Sequence, residues 1–181
     1  IDAIANDRPL PTQVFAHGFF TVDGQKMSKT LGNVIDPVAL VEEWGVDPVR
    51  YFLLSAVPFG SDGDIQPTRF VEVYTADLAN GIGNLLNRTV TLLGRSKIKI
   101  EPGSGVSCAD VDRAIEELRL DDGLKAVMVI VRDANRRLEE SKPWELVKLK
   151  AESPASSAGG SKLEAVLTTA YRQLETIAAG L

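Results

Sequence analysis

Residues 67–95 read Pro67-Thr-Arg-Phe-Val-Glu-Val-Tyr-Thr-Ala-Asp-Leu-Ala-Asn-Gly-Ile-Gly-Asn-Leu-Leu-Asn-Arg-Thr-Val-Thr-Leu-Leu-Gly-Arg95. Phe70, Val73, Tyr74, Leu78, Ile82, Leu85 and Leu92 recur at helical spacing, so the stretch predicts one long amphipathic helix with an apolar stripe. The opposite face carries Asp77, Asn84, Arg88 and Thr91. Two further stretches repeat the pattern. Residues 121–141 place Leu124, Val127, Met128, Val131 and Leu138 inward, and residues 161–178 do the same with Leu163, Val166, Leu167, Ala170, Leu174 and Ile177. Short helices are expected near 109–119 and 143–150. Helices of this length with one apolar face each argue for a helical bundle.

Upstream the pattern changes. Val14, Phe15, Phe19, Phe20 and Val22 are β-formers, which predicts a strand over 13–22. Asp23-Gly24 is a hairpin turn signal, so 18–28 is expected to form a hairpin that ends in a loop. Asp36 before Pro37 reads as a helix cap, and Gly45 as the stop of that helix. Asp47 and Pro48 predict a second cap, opening a helix through Val49, Tyr51, Phe52 and Leu53. The Gly-, Pro- and Ser-rich stretches 101–107 and 153–160 read as loops. The expected fold is therefore mainly α: a short β/loop segment in residues 1–66, then an α-helical bundle in 67–181.

Composition narrows the function. Hydrophobic content of 44% and charged content of 25% are ordinary for a globular protein. Cys108 is the only cysteine and His17 the only histidine. That excludes a disulfide framework, a CxxC zinc site and a His-rich metal site, and no metal site is expected within the chain. Cysteine usage points to a reducing compartment, hence a cytoplasmic location. No segment is apolar for the roughly 18 residues that a membrane span needs. The start at Ile1-Asp2-Ala3 has neither a basic n-region nor an apolar h-region and reads as the interior of a longer protein. A net charge of −5 does not advertise nucleic-acid binding, so any RNA contact has to come from a local face.

Two sets of residues carry chemistry. Lys26-Met27-Ser28-Lys29-Thr30 follows the hairpin between Gly24 and Gly32. Two ammoniums three residues apart, with hydroxyls beside the second, suit a polyphosphate that moves during reaction. The glycines allow such a loop to open and close. On spacing alone the alternative is a solvated turn. On the long helix, Asn84 and Arg88 lie four apart on one polar face. Arg88 offers a forked set of donors, and Asn84 both donates and accepts. Trp144 follows Pro143 at an expected helix start, where an exposed indole would stack on an unpaired base. The alternatives are a solvated helix face and a core or rim tryptophan. Asn135 falls on an apolar stripe and is expected to be satisfied inside the bundle. Trp44 reads as packing and His17 as structural. Cys108 opens a helix and is assigned no role.

The run Lys26-Met-Ser-Lys-Thr30-Leu-Gly-Asn-Val-Ile-Asp-Pro37, with His17-Gly18-Phe19 before it, resembles the second signature of class I aminoacyl-tRNA synthetases. Thr30 stands where the family usually has Ser and keeps the hydroxyl. Ala76-Asp-Leu-Ala-Asn-Gly-Ile-Gly-Asn-Leu-Leu-Asn-Arg88, Ala134-Asn-Arg136 and Lys142-Pro-Trp144 resemble the anticodon-domain signatures of the methionyl-tRNA synthetases. The resemblance implies that 1–66 is the end of a catalytic domain and 67–181 an anticodon-binding domain. It implies catalytic roles for Lys26 and Lys29, ATP contacts by Lys26, Ser28, Lys29 and Thr30, and anticodon contacts by Asn84, Arg88 and Trp144. The implied partners are ATP with Mg2+, L-methionine through a nucleotide-binding half not present in this chain, and tRNA for methionine. The chain alone is then expected not to form methionyl-adenylate. Synthetases for leucine, isoleucine, valine or cysteine, and a non-catalytic RNA-binding module, are the alternatives.

Overall fold

The computed structural model describes residues 9, 10, 12–14, 16–58, 60–103, 108–152 and 157–181. The chain is mainly helical with one small sheet. Strand β1 (Phe20–Val22) pairs antiparallel with β2 (Gln25–Lys26), with Thr21 opposite Lys26 and Val22 opposite Gln25. Asp23 (φ 51°) and Gly24 (φ 69°) both take the left-handed region, as a two-residue turn of this hand requires. Strand β3 (Gly63–Asp64) lies parallel on the other edge of β1. The sequence predicts a strand from residue 13, but the residues described between 12 and 19 form none. Val14 is 88% exposed. A β-branched side chain favours a strand only where it has a face to pack on, and Val14 has none. Phe15 lies outside the described residues.

Helix α1 (Pro37–Trp44) starts where Asp36 Oδ1 accepts the Val38 N–H at 2.9 Å. It stops at Gly45 (φ 88°), whose N–H donates to the Val41 carbonyl. Helix α2 (Val46–Ser55) follows at once. The expected cap at Asp47 is not made: the helix has already begun, and Asp47 sits in its first turn without a capping hydrogen bond. A carboxylate there still complements the positive end of the helix dipole. Val49, Phe52, Ile65 and Phe70 form a first core, with Phe20, Ile35, Val41 and Trp44 packed around it. Trp44 lies 5.0 Å from Phe70 and 5.3 Å from Tyr74 between ring centroids, a packing role.

The stretch 67–96 is one continuous rod but not one α-helix. It runs as α3 (Pro67–Val73), a π-helical segment (Tyr74–Gly83) and α4 (Asn84–Ser96). Gly81 and Gly83 are poor α-formers, which weakens the tighter winding there. Gly81 also lies against the bundle, where a Cβ would come within 3.2 Å of Met128 Cε. A single 3.6-residue period therefore misjudges the middle of the rod. Leu78 and Ile82 are only half-buried, whereas Phe70, Leu85, Thr89 and Leu92 are buried.

The bundle is completed by α5 (Ala109–Glu116), α6 (Leu120–Ser141), α7 (Pro143–Glu152) and α8 (Ser157–Gly180). Helix α6 is central and packs against α2, α5, α8 and the rod. Leu85, Val127, Met128, Val131, Ala134, Leu138, Ala170 and Ile177 make the main core, and α2 contributes Tyr51 to it. Tyr51 Oη donates to Asp77 Oδ2 at 2.9 Å, tying α2 to the π segment. Burial, reinforced by the Asp77 carboxylate, pushes the Tyr51 hydroxyl well above its ordinary pKa. Leu92, Leu163 and Leu167 form a third core beneath Trp144. Residues 101–103 have no regular structure, and 104–107 lie outside the described residues. The expected loop at 153–160 is shorter than its composition suggests, because Ser157–Gly160 already belong to α8. Burial of Leu163 and Leu167 one and two turns on offsets the weak helix preference of Gly159 and Gly160.

Leu138 is 1% exposed at the heart of this packing. Leu138→Ala is expected to lower unfolding free energy by about 2–5 kcal/mol in urea titrations, with an unchanged m-value.

Candidate functional site

The lysine turn is built by short-range hydrogen bonds. Ser28 is its hub. The Ser28 N–H donates to Asn33 Oδ1 at 2.8 Å, and its carbonyl accepts from the Leu31 and Gly32 N–H groups at 3.2 and 3.1 Å. Its Oγ accepts the Thr30 N–H at 3.2 Å. Asn33 Nδ2 reaches the Lys26 carbonyl at 3.4 Å, and Gly32 turns the chain at φ 67°. Lys29 and Thr30 are exposed, and Ser28 is half-buried. The Ser28 oxygen is thus already engaged inside the turn, which leaves its O–H to donate outward. Lys26 Nζ lies 5.2 Å from the Phe19 ring centroid. At an exposed site such a cation–π contact is worth about 0.5–1 kcal/mol, little enough for a phosphate to replace it.

The hairpin beneath the turn is held by Asp64. Its Oδ1 accepts the Gly24 N–H at 2.8 Å and the Thr21 hydroxyl at 2.9 Å, while Gln66 Nε2 donates to Oδ2 at 3.1 Å. The Gly24 and Thr21 donors hold the Asp64 carboxyl below the usual carboxylate range. Asp62 Oδ1 takes the Phe19 N–H at 2.7 Å. Gly18 is needed for this closeness, since a Cβ there would run into the Ser61 carbonyl.

The second set lies on α4 and α7. Asn84 is exposed, and Arg88 is one turn further on with its side chain 29% exposed. Arg88 Nη1 donates to Glu139 Oε1 at 3.0 Å, and its guanidinium carbon lies 5.4 Å from the Trp144 ring centroid. The Trp144 indole is half-buried over Leu92, Leu163 and Leu167, at the rim of the third core and not fully exposed. Its position follows from the local sequence. Lys142 takes a left-handed conformation (φ 44°), its N–H closing α6 on the Leu138 carbonyl, and buried Pro143 starts α7. The turn is sharp enough to fold the indole back against the third core while the guanidinium remains in reach. The structure therefore brings Arg88 and Trp144 together, with Asn84 beside them on the same helix.

An open groove of about 340 Å³ runs along this face, lined by Asn80, Asn84, Arg88, Arg132, Asn135 and Glu139 among others. Asn135 Nδ2 donates to the Gly81 and Val131 carbonyls at 3.2 and 3.1 Å, clipping α6 to the π segment. Its Oδ1 is buried and has no partner. Sequence reasoning missed Glu139, the partner that orients Arg88, and Asn33, which closes the lysine turn. Glu139 lies four residues after Asn135 and so shares its face, a signal available from spacing. Asn33 follows a glycine at the far end of the lysine motif, a position that favours side-chain-closed turns. His17 Nδ1 contacts the Gly18 carbonyl at 2.8 Å, and Cys108 precedes α5 half-buried.

The family model described as tRNA synthetases class I (M) matches residues 2–90. The chain is similar to the class I aminoacyl-tRNA synthetases. Within that class the likeness is to methionyl-tRNA synthetases, and synthetases for other amino acids are not favoured. A methionine–tRNA ligase of Nostoc sp. is 39% identical across 90% of this chain and 34% of the relative. One of Bacillus subtilis is 41% identical across 80% of this chain and 24% of the relative. A crystal structure of Mycobacterium tuberculosis methionyl-tRNA synthetase bound by methionyl-adenylate superposes with a TM-score of 0.77 at 33% identity, covering 97% of this chain and 36% of that one. The chain thus spans about a quarter to a third of the length of the relatives it matches over most of its own length.

The depressed Asp64 carboxyl gives a pH test with a fixed sign. A carboxylate held below its unfolded value contributes stability above that value and loses it as pH falls through the native one. Asp64→Asn is expected to lower Tm at neutral pH, and the gap to wild type should close as pH drops below the ordinary carboxylate range; a pH-independent gap would contradict the assignment.

Proposed function

We propose that this chain works as part of a methionine–tRNA ligase, supplying the lysine turn that acts on ATP and the face that reads the anticodon of tRNA for methionine. The division falls near residue 66. Residues 1–66 serve as the end of the catalytic domain, and 67–181 as the anticodon-binding domain. L-methionine and most of the ATP site belong to a nucleotide-binding half joined to this chain, and Mg2+ arrives with ATP as part of the substrate. The work is cytoplasmic, and among the described residues no helix is long and apolar enough to cross a membrane.

In activation, the methionine carboxylate attacks the α-phosphorus and pyrophosphate leaves. Negative charge builds on the departing phosphates. Lys29 and Lys26 meet that charge, and the Ser28 and Thr30 hydroxyls donate to the same oxygens. Cations aimed at charge that develops in the transition state lower the barrier, by about 3–4 kcal/mol for one such contact. Among the described residues Lys29 has no acidic partner, so its charge is not neutralised before ATP arrives.

The observation that carries the RNA reading is the placement of Arg88 between Glu139 and Trp144. The adjacent carboxylate disfavours a phosphate at this spot, because like charges would meet at close range. Arg88 and Glu139 instead offer donors and an acceptor side by side, which matches the edge of a base. Trp144 supplies a flat apolar face for stacking, and Asn84 adds a second donor–acceptor pair. Splayed single-stranded bases are the usual target of such sites. Recognition by base edges also suits a chain of net charge −5.

Titrating an anticodon stem-loop of tRNA for methionine against wild type and Trp144→Ala tests this reading. Binding that weakens with salt is expected, with a loss of about 1–3 kcal/mol in the variant. Equal affinity for both proteins would remove Trp144 from the site.

A further inference from the structure

The lysine turn has a fixed side and a free side. On the fixed side, Ile35 packs into the first core and Asp36 caps α1. On the free side, Lys29 and Thr30 face solvent. Asn33 stands between them, half-buried, just before Ile35. Its carboxamide crosses the turn in both senses: Oδ1 accepts the Ser28 N–H at 2.8 Å, and Nδ2 donates to the Lys26 carbonyl at 3.4 Å. Ser28 in turn organises Thr30, Leu31 and Gly32 through its oxygens. Among the described residues, these are the side-chain bonds that link the lysine-bearing half of the turn to the anchored half.

We propose that Asn33 is a positioning residue for adenylate formation: it pre-forms the turn that delivers Lys26 and Lys29 to the phosphates of ATP. The proposal rests on reading that turn as the phosphate grip. The chemistry of the side chain suits the task. One planar group supplies an acceptor and a donor in opposite directions, which the backbone N–H of residue 28 and the carbonyl of residue 26 both need. The amide is also neutral. A carboxylate at this position would add a negative charge to the turn that carries both ammoniums and compete with the phosphates for them, whereas an amide leaves both charges for ATP. A turn already closed loses less conformational freedom when it grips a moving phosphate.

The test uses the full-length synthetase that contains this chain. Adenylate formation, the KM for methionine, anticodon stem-loop affinity and initial tryptic cleavage after Lys26 and Lys29 are measured for wild type, Asn33→Ala, Asn33→Asp and Lys29→Ala. Asn33→Ala is expected to slow adenylate formation at least tenfold, with the KM for methionine and stem-loop affinity unchanged, and to speed cleavage in the turn. Asn33→Asp keeps the acceptor for the Ser28 N–H and is expected to restore slow cleavage. A wild-type rate in Asn33→Ala beside a slow Lys29→Ala would overturn the role of Asn33 and leave the phosphate grip standing. A wild-type rate in Lys29→Ala would instead sink the phosphate grip itself. Loss of stem-loop affinity together with rate would mark Asn33 as a general structural residue and overturn the proposal.

Discussion

The apolar stripe of α6, buried from Val127 through Leu138, is the constraint that fixes everything around it. Val127, Val131 and Ala134 have no exposed surface, and Leu138 is 1% exposed. Burying each of the larger side chains is worth about 1.5–3 kcal/mol. The polar contacts on the surface are individually smaller: the Arg88–Glu139 pair is exposed enough to count for about 0–1 kcal/mol. The packing therefore decides where the rod lies, and the polar groups take the positions it leaves them. Leu85 enters the core, and Arg88, three residues on, is carried to the rim where Glu139 and Trp144 meet it. The same stripe receives Tyr51 from α2, so the hairpin side of the molecule is joined to the bundle by burial as well as by the bond to Asp77.

The lysine turn is stabilised differently. It has no core of its own and depends on a few hydrogen bonds around Ser28, Asn33 and Asp64. Segments with few buried apolar contacts open at low free energy, and loops that must move on a ligand are drawn from that class. The chain thus separates two mechanical needs. The face proposed to read bases would need to be rigid, and it stands on a packed bundle. The turn proposed to grip departing phosphates would need to move, and it hangs from a two-stranded hairpin.

Much of this was legible in the sequence because helical faces obey a simple period. The stripes of α6 and α8, the Asp36 cap, the Gly45 stop and the Asp23-Gly24 turn all follow from local rules. The mainly helical fold is legible in those stripes, and the likeness to synthetases in the Lys26–Pro37 and Ala76–Arg88 runs. Other features depend on neighbours that local rules do not see. The π segment arises where Gly81 meets the surface of α6, with Gly83 two residues on, and no fixed period anticipates it. The strand expected from residue 13 lacks a partner until Phe20 meets β3. Trp144 is half-buried because Lys142 turns left-handed and folds it onto Leu163 and Leu167. Glu139 and Asn33 pair with a partner on another helix or across a turn, so spacing marks their positions but only the folded chain names their partners.

The central claim is that Arg88 and Trp144 act as one unit on a scaffold that the α6 packing holds still. A double-mutant cycle on anticodon stem-loop binding, with Arg88→Ala, Trp144→Ala and the pair, tests it most directly. The account predicts a coupling of about 0.5–3 kcal/mol between the two changes, as for residues in contact. Losses that simply add would show two independent contacts and contradict it.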